Sequence, residues 1–143
     1  MKAPEQIEES MLAPCGLNCT FCYRHVGKNP CPGCRARISE PEKYIRKCVM
    51  RACTAEQGLN LCAECGRFPC ARVKSFEKRY TSGYGISPMG DGAFAAANGI
   101  NALFERQLKT YTCSVCGGLI DLHSGVCSEC KKQYPLGKGR NHP

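Results

Sequence analysis

The chain has 143 residues, 14 of them cysteine, and a formal charge of +8. That cysteine load is several times ordinary usage, and with no tryptophan and only 8% aromatic residues the conventional core is thin, so bonds made by cysteine must help hold the fold. No run of 18 apolar residues occurs, and residues 1–9 lack the apolar segment of a signal peptide, which excludes a spanning helix and points to a soluble, cytoplasmic protein.

In a reducing cytosol structural disulfides are rare, so the thiols read as metal ligands. Their spacing agrees. Five C-x-x-C pairs occur: Cys19/Cys22, Cys31/Cys34, Cys62/Cys65, Cys113/Cys116 and Cys127/Cys130. Two intervening residues let both sulfurs turn toward one ion, each about 2.3 Å away.

In chain order, residues 1–14 form a polar lead-in with a short helical tendency. Cys15-Gly-Leu-Asn-Cys19-Thr-Phe-Cys22 follows, a C-x-x-x-C-x-x-C run with an aromatic before its last cysteine. It resembles the radical S-adenosylmethionine motif, in which three thiolates hold a [4Fe–4S] cluster and leave one iron open. That chemistry resides in a large partial βα barrel, and no repeating strand–helix pattern follows here, so a zinc knuckle is the preferred reading. Cys31-Pro-Gly-Cys34 similarly has the form of a redox dithiol without the βαβ frame such a dithiol needs.

Ten cysteines lie between positions 15 and 70. The most compact division gives Cys19, Cys22, Cys31 and Cys34 to one ion and Cys53, Cys62, Cys65 and Cys70 to a second. Cys15 and Cys48 are then left over, as buried small hydrophobes or further ligands. Other partitions stay open, including a cluster with bridging sulfurs. The negative charge of two such sites raises a neighbouring thiol's pKa, which favours inert roles for Cys15 and Cys48.

Ser39-Glu40-Pro41-Glu42 is a helix start, with a capping serine and a proline in the first turn, for a helix running to about Arg51. Thr54 repeats the capping pattern for a short helix closed by Gly58. A further helix starts near Pro69 or Cys70, with Val73, Phe76 and Tyr80 on one face and Arg72, Lys74, Lys78 and Arg79 elsewhere. Residues 81–92, with four glycines and a proline, read as a loop. Asp91 caps the next helix, in which Ala93, Ala97, Ile100, Phe104 and Leu108 recur at helical spacing through about Lys109.

Cys113-Ser-Val-Cys116, ten residues, then Cys127-Ser-Glu-Cys130 is the strongest pattern in the chain. Gly117-Gly118 permits positive φ after the first knuckle, Leu119, Ile120 and Leu122 suggest a short strand, and His123-Ser124-Gly125 a turn. This is a zinc ribbon, whose four thiolates leave no open position and so make a structural site. His123 is expected to be an exposed residue at the hairpin tip rather than a fifth ligand.

Positive charge concentrates in residues 35–80, with 11 basic and 5 acidic side chains. Four thiolates around a divalent ion carry −2, so three such sites lower the formal +8 to +2. The basic residues then serve to neutralise the metal centres, and nucleic-acid binding is possible but not favoured.

Cys15-Gly-Leu-Asn-Cys19, Cys31-Pro-Gly-Cys34, Arg51-Ala-Cys53, Cys62-Ala-Glu-Cys65 and Phe68-Pro69-Cys70 occur in this order before a helical region and the terminal ribbon. Over roughly residues 12–130 the chain resembles a bacterial and archaeal cysteine-rich family of unknown function that is described as zinc-binding. The resemblance implies metal binding and supplies no activity. Where some members carry a further cysteine just upstream of Cys48, this chain has Ile45.

The expected fold is a small metal-stabilised α+β protein. It comprises a ten-cysteine module of zinc knuckles and helices over 1–80, a loop and connecting helix over 81–110, a zinc ribbon over 111–134 and a mobile basic tail over 135–143. About three zinc ions are expected, with an iron–sulfur cluster as the alternative at the N-terminal cysteines. The leading function is a structural-zinc interaction or adaptor module with a protein partner and no membrane contact. The alternatives are an iron–sulfur or thiol-dependent enzyme component built on Cys15, Cys19 and Cys22, and a nucleic-acid accessory protein. No Ser/His/Asp set, paired-carboxylate motif, phosphate-binding loop or dinucleotide fingerprint occurs, so catalysis is not the favoured reading.

Overall fold

Four α-helices lead from the N-terminal cysteines to the C-terminal ones in the computed structural model, which describes residues 1–35 and 47–135. They are α1 (Val49–Glu56), α2 (Ala71–Tyr84), α3 (Pro88–Asn98) and α4 (Ile100–Tyr111). Single 3-10 turns form at Glu9–Met11, Cys19–Phe21 and Cys62–Glu64. The helix start expected at Ser39 to Glu42 and the basic tail beyond 135 lie outside the described residues.

Helix α1 runs through the place where a second helix was expected to begin. Thr54 is buried inside it, and its hydroxyl donates to the Met50 and Arg51 carbonyls at 2.9 and 3.1 Å instead of capping a new start. Helix α2 begins after Cys70 and ends at Gly85, whose φ of 67° is left-handed. It buries Val73, and Phe76, Tyr80 and Tyr84 stack in sequence along it, with ring centroids 4.6 and 5.0 Å apart.

The loop expected over 81–92 shrinks to residues 85–87. Helix α3 starts at Pro88, capped by Ser87 rather than Asp91: the Ser87 hydroxyl oxygen accepts from Gly90 N–H at 3.0 Å. The Glu77 carboxylate of α2 accepts from the Ser87 hydroxyl and, at 2.8 Å, from Met89 N–H, so α2 holds the start of α3. Gly90 and Gly92 suggested a loop, but Gly92 faces Gly16 at close range. Gly16 has φ 98°, and a Cβ there would lie 1.9 Å from the Pro88 carbonyl oxygen. The backbone of the Cys15–Cys19 motif therefore rests directly on α3, which only glycine allows.

The continuous helix expected from Asp91 to Lys109 is broken at Gly99, whose φ is 94°. The break re-phases the apolar face. Ala93 and Ala97 are exposed, while Ala95 of α3 and Leu103, Phe104, Gln107 and Tyr111 of α4 are buried.

One core runs from the lead-in to the ribbon: Ile7, Leu12, Phe21, Leu61, Ala95, Leu103, Phe104, Tyr111, Cys113, Leu119, Ile120, Leu122 and Cys127. Phe21 is fully buried, its ring 4.8 Å from that of Tyr111, and its carbonyl accepts from Leu122 N–H at 2.9 Å. The lead-in is mostly non-helical and lies along the ribbon. Leu119 N–H donates to the Met1 carbonyl at 2.8 Å, and Ala3 N–H to the Gly117 carbonyl at 2.9 Å.

The β component of the expected α+β fold reduces, among the described residues, to isolated antiparallel bridges, including Lys2–Gly118, Thr112–Leu119, Ile120–Cys127 and Val126–Gln133. A cysteine knuckle interrupts each ribbon segment within a few residues, so no ladder grows beyond one rung. Among the described residues this is a small cysteine-rich protein with four α-helices and no extended strand.

A buried polar chain joins the N-terminal motif to the helices. Asn18 accepts from Thr20 N–H at 3.0 Å and donates to the Gln107 side-chain oxygen at 2.9 Å, and Gln107 donates to Asp91 at 3.4 Å. Asn18→Ala should leave the buried Gln107 side-chain oxygen without its donor and cost about 1–3 kcal/mol, seen as a lower urea midpoint with unchanged metal content.

Candidate metal centre

At the C-terminus the sulfurs of Cys113, Cys116, Cys127 and Cys130 all lie within 4.8 Å of one another. Cys113 and Cys130 are 3.6 Å apart, and Cys116 and Cys127 are 3.5 Å apart. A tetrahedron of 2.3 Å metal–sulfur bonds requires edges of about 3.8 Å, whereas a disulfide requires about 2.05 Å. The four thiols therefore match a four-coordinate ion, and all fourteen cysteines of the chain are free thiols.

Backbone turns build this cluster. Gly117 N–H donates to the Cys113 carbonyl at 2.9 Å and Lys131 N–H to the Cys127 carbonyl at 3.1 Å, so the two knuckles repeat one geometry. Gly117 and Lys131 occupy matching positions with φ of 75° and 66°. Gly118 is needed for closeness, since a Cβ there would lie 2.8 Å from the Cys127 sulfur.

The site favours the thiolate at Cys113. The Tyr134 hydroxyl, 3.0 Å from the Cys113 sulfur, and the amides of Cys116 and Val115 bring the Cys113 pKa down to about 6. Although the Lys132 amide pulls the other way, burial and hydrogen bonding with the sulfurs of Cys113, Cys116 and Cys127 push Cys130 up to about 11. Tyr134 carried no role in the sequence reading, because its place beside Cys113 depends on closure of the ribbon. Tyr134→Phe should raise the Cys113 pKa. Since metal binding displaces the thiol protons, half-release of metal should then occur at a higher pH, read from a metallochromic indicator during acid titration.

Among the described residues no other set of three or more ligand groups is gathered this tightly. The ten N-terminal thiols are neighbours in a looser array. Cys34 N–H donates to the Cys19 sulfur at 3.4 Å, and the Cys19 thiol is the main cause raising the Cys34 pKa. Cys22 is raised by burial, with Cys34 and Cys31 among its charged neighbours. Farther along, Gln57 donates to the Cys53 sulfur at 3.2 Å and accepts from Cys65 at 3.6 Å. Cys62 is pushed up to about 11 by burial and by Cys70, Cys53, Cys48 and Cys65. Cys70 is lowered, chiefly by Val73 N–H at the start of α2. Burial raises the Cys15 pKa, and the charges of Cys34, Cys48 and Cys62 act in the same direction.

His123 is not an exposed tip residue. Its side chain is 11% exposed, with Nε2 3.1 Å from the Tyr80 hydroxyl and Nδ1 3.3 Å from Asp121. The edges of Tyr23 and Tyr84 close around it, with centroids 5.0 and 4.9 Å away. Although burial opposes it, hydrogen bonds from His123 and Ser124 hold the Asp121 carboxyl below its usual range. Asp121 went unnoticed in the sequence, although an aspartate two residues before a turn histidine is an Asx-turn signal.

The fold and site define a small cysteine-rich protein with a four-thiol cluster able to hold a metal ion. Residues 11–75 match the model of a family described as "Protein of unknown function (DUF3795)". The match takes in the ten N-terminal cysteines and stops before the ribbon, short of the roughly 12–130 span of the resemblance. The comparison with curated proteins gave no match, and neither did that with solved structures. Among the described residues no helix is long and apolar enough to cross a membrane.

Proposed function

We propose that the chain is a structural-zinc interaction module, an adaptor whose metal ions hold the surface that a partner, expected to be a protein, recognises. The observation that carries this reading is the closed set of four sulfurs at Cys113, Cys116, Cys127 and Cys130. Four thiolates complete the coordination of zinc and leave no position for water or substrate, which is the arrangement of a structural site. In this reading Cys19, Cys22, Cys31 and Cys34 hold a second ion and Cys53, Cys62, Cys65 and Cys70 a third, with Cys15 and Cys48 inert or as extra ligands. The Gln57 side chain that spans Cys53 and Cys65 supports the second grouping, and the Cys19–Cys34 contact supports the first.

Metal analysis of anaerobically purified protein, paired with an absorption spectrum, tests this reading. The expected result is about three zinc ions per chain and no visible absorption. A brown protein absorbing at about 400 nm, with iron in excess of zinc, would replace the reading with a cluster protein centred on Cys15, Cys19 and Cys22.

A further inference from the structure

Two arginines among the N-terminal cysteines are anchored by backbone carbonyls rather than by acids. Arg35 Nη1 donates to the Glu9 carbonyl at 2.9 Å and to the Leu12 carbonyl at 3.3 Å. Arg51 Nε donates to the Cys34 carbonyl at 2.8 Å. Each guanidinium keeps further N–H donors. Among the described residues no carboxylate pairs with either. The Cys19 thiol and burial hold the Cys34 pKa up, and the Arg51 charge opposes them, so part of the Arg51 field falls on that sulfur.

Both arginines line one cavity of about 660 Å³, and no aspartate or glutamate stands among its described walls. The cavity lies between the turn at Glu9–Met11, the segment around Cys34 and helix α1. Arg51 and Ala55 are four residues apart on α1, so they stand on the same side of the helix. Ala55, Pro14 and Leu59 give the cavity an apolar wall, and Ser10 and Asn60 add a hydroxyl and an amide. A volume of this size encloses a small metabolite.

We propose that this cavity binds a small molecule carrying a phosphate monoester, with the phosphate shared by Arg35 and Arg51 and the organic part against Pro14, Ala55 and Leu59. Two guanidiniums with no acid beside them call for about two negative charges, which a phosphate monoester carries near neutral pH and a single carboxylate does not. Its terminal oxygens can accept from both guanidiniums at once. The carbonyl contacts fix each arginine before a ligand arrives, so binding loses little side-chain freedom. The apolar wall favours an ester with an organic group over the bare ion. Such a ligand goes beyond the adaptor reading and does not depend on which metal the thiols hold.

The test titrates the full-length, metal-loaded chain with phenyl phosphate in a calorimeter, at low salt in phosphate-free buffer, with metal content measured on the same samples. The expected result is saturable binding of one equivalent per chain, with inorganic phosphate and benzoate each at least about ten-fold weaker. Arg35→Gln should weaken binding at least about ten-fold. Ala55→Glu, at an exposed position, sets a negative charge at the wall with both arginines in place and should weaken binding at least about five-fold; Ala55→Gln, of the same size, should weaken it less. Unchanged metal content and far-UV circular dichroism in the Ala55 variants show that the fold is intact. Three outcomes would overturn the proposal: no saturable binding by the intact chain, which would leave the arginines as counter-charges of the thiols; an affinity that Arg35→Gln and Ala55→Glu both leave unchanged; or benzoate binding as tightly as phenyl phosphate. A phosphoserine peptide that displaces phenyl phosphate and binds more tightly would overturn the metabolite assignment and give the cavity to a phosphorylated protein segment. Because metal content is read separately, a chain without zinc would count against the adaptor reading alone.

Discussion

On the structural-zinc reading, emptying the C-terminal four-thiol site, by a strong chelator or by Cys116→Ala, is expected to unfold more than the segment around it. A structural zinc contributes apparent binding energy on the order of 10 kcal/mol, comparable with the whole net stability of a domain. Read from sequence alone, the ribbon stands apart, behind a loop at 81–92, and its loss would spare residues 1–80. The packing gives a different answer. Cys113 and Cys127 are buried members of the same core as Ile7, Leu12, Phe21 and Leu61. The lead-in hydrogen-bonds to the ribbon at Gly117 and Leu119, and Phe21 accepts from Leu122 N–H. Opening the four-thiol site therefore exposes the apolar side of Leu119, Ile120 and Leu122, on which the N-terminal part rests. In amide hydrogen exchange, Cys116→Ala should lose protection at Phe21 and along α4 as well as in the ribbon. Retained protection at Phe21 and α4 after loss of the ribbon's metal would show that the two parts fold independently.

Phe21→Ala should cost about 3–5 kcal/mol, the usual range for deleting a fully buried aromatic ring. The ring lies between two cysteines of the motif that resembles a cluster-binding sequence, yet its surroundings are those of a core residue. It is 0% exposed and packs against Tyr111 at the end of α4. The cavity it leaves is shared by the N-terminal motif, α4 and the ribbon, so one cooperative transition should shift to lower denaturant as a whole. A variant that melts in two separate steps would contradict the shared core. The Phe21 ring offers no ligand atom, so metal content measured at low temperature should be unchanged.

Much of the site was legible in the cysteines themselves. The spacing of Cys113, Cys116, Cys127 and Cys130 requires only local turns to bring two sulfur pairs together, and local turns are what short-range sequence signals describe. The same holds for the start of α2 after Pro69 and for its inward face at Val73, Phe76 and Tyr80. The α2–α3 and α3–α4 junctions were not legible, because glycine has two opposite meanings there. Gly90 and Gly92 signal a loop to any local rule, yet they sit inside a helix because Gly92 faces Gly16, a residue distant in sequence. Gly99 lies within an apparently continuous apolar stripe, and its left-handed φ ends one helix and re-phases the next.

The same division explains the polar residues. His123 was placed at a solvent-exposed tip, since a Ser-Gly pair beside it marks a turn; the turn is there, but Tyr80 and Tyr84 of α2 and Tyr23 of the N-terminal segment cover it. Asn18 and Gln107 are 89 residues apart and meet only because the Cys15–Cys19 backbone rests on α3 and α4. The sequence by itself determined that cysteine dominates this chain and that its last four thiols come together as one set. The tertiary structure decided that knuckles, helices and ribbon share one core, that Glu77 leaves α2 basic on its outside, and that a histidine at a turn becomes a buried link. Metal-ligand spacing is a local property that a few turns satisfy, whereas burial depends on which distant segment arrives to exclude water.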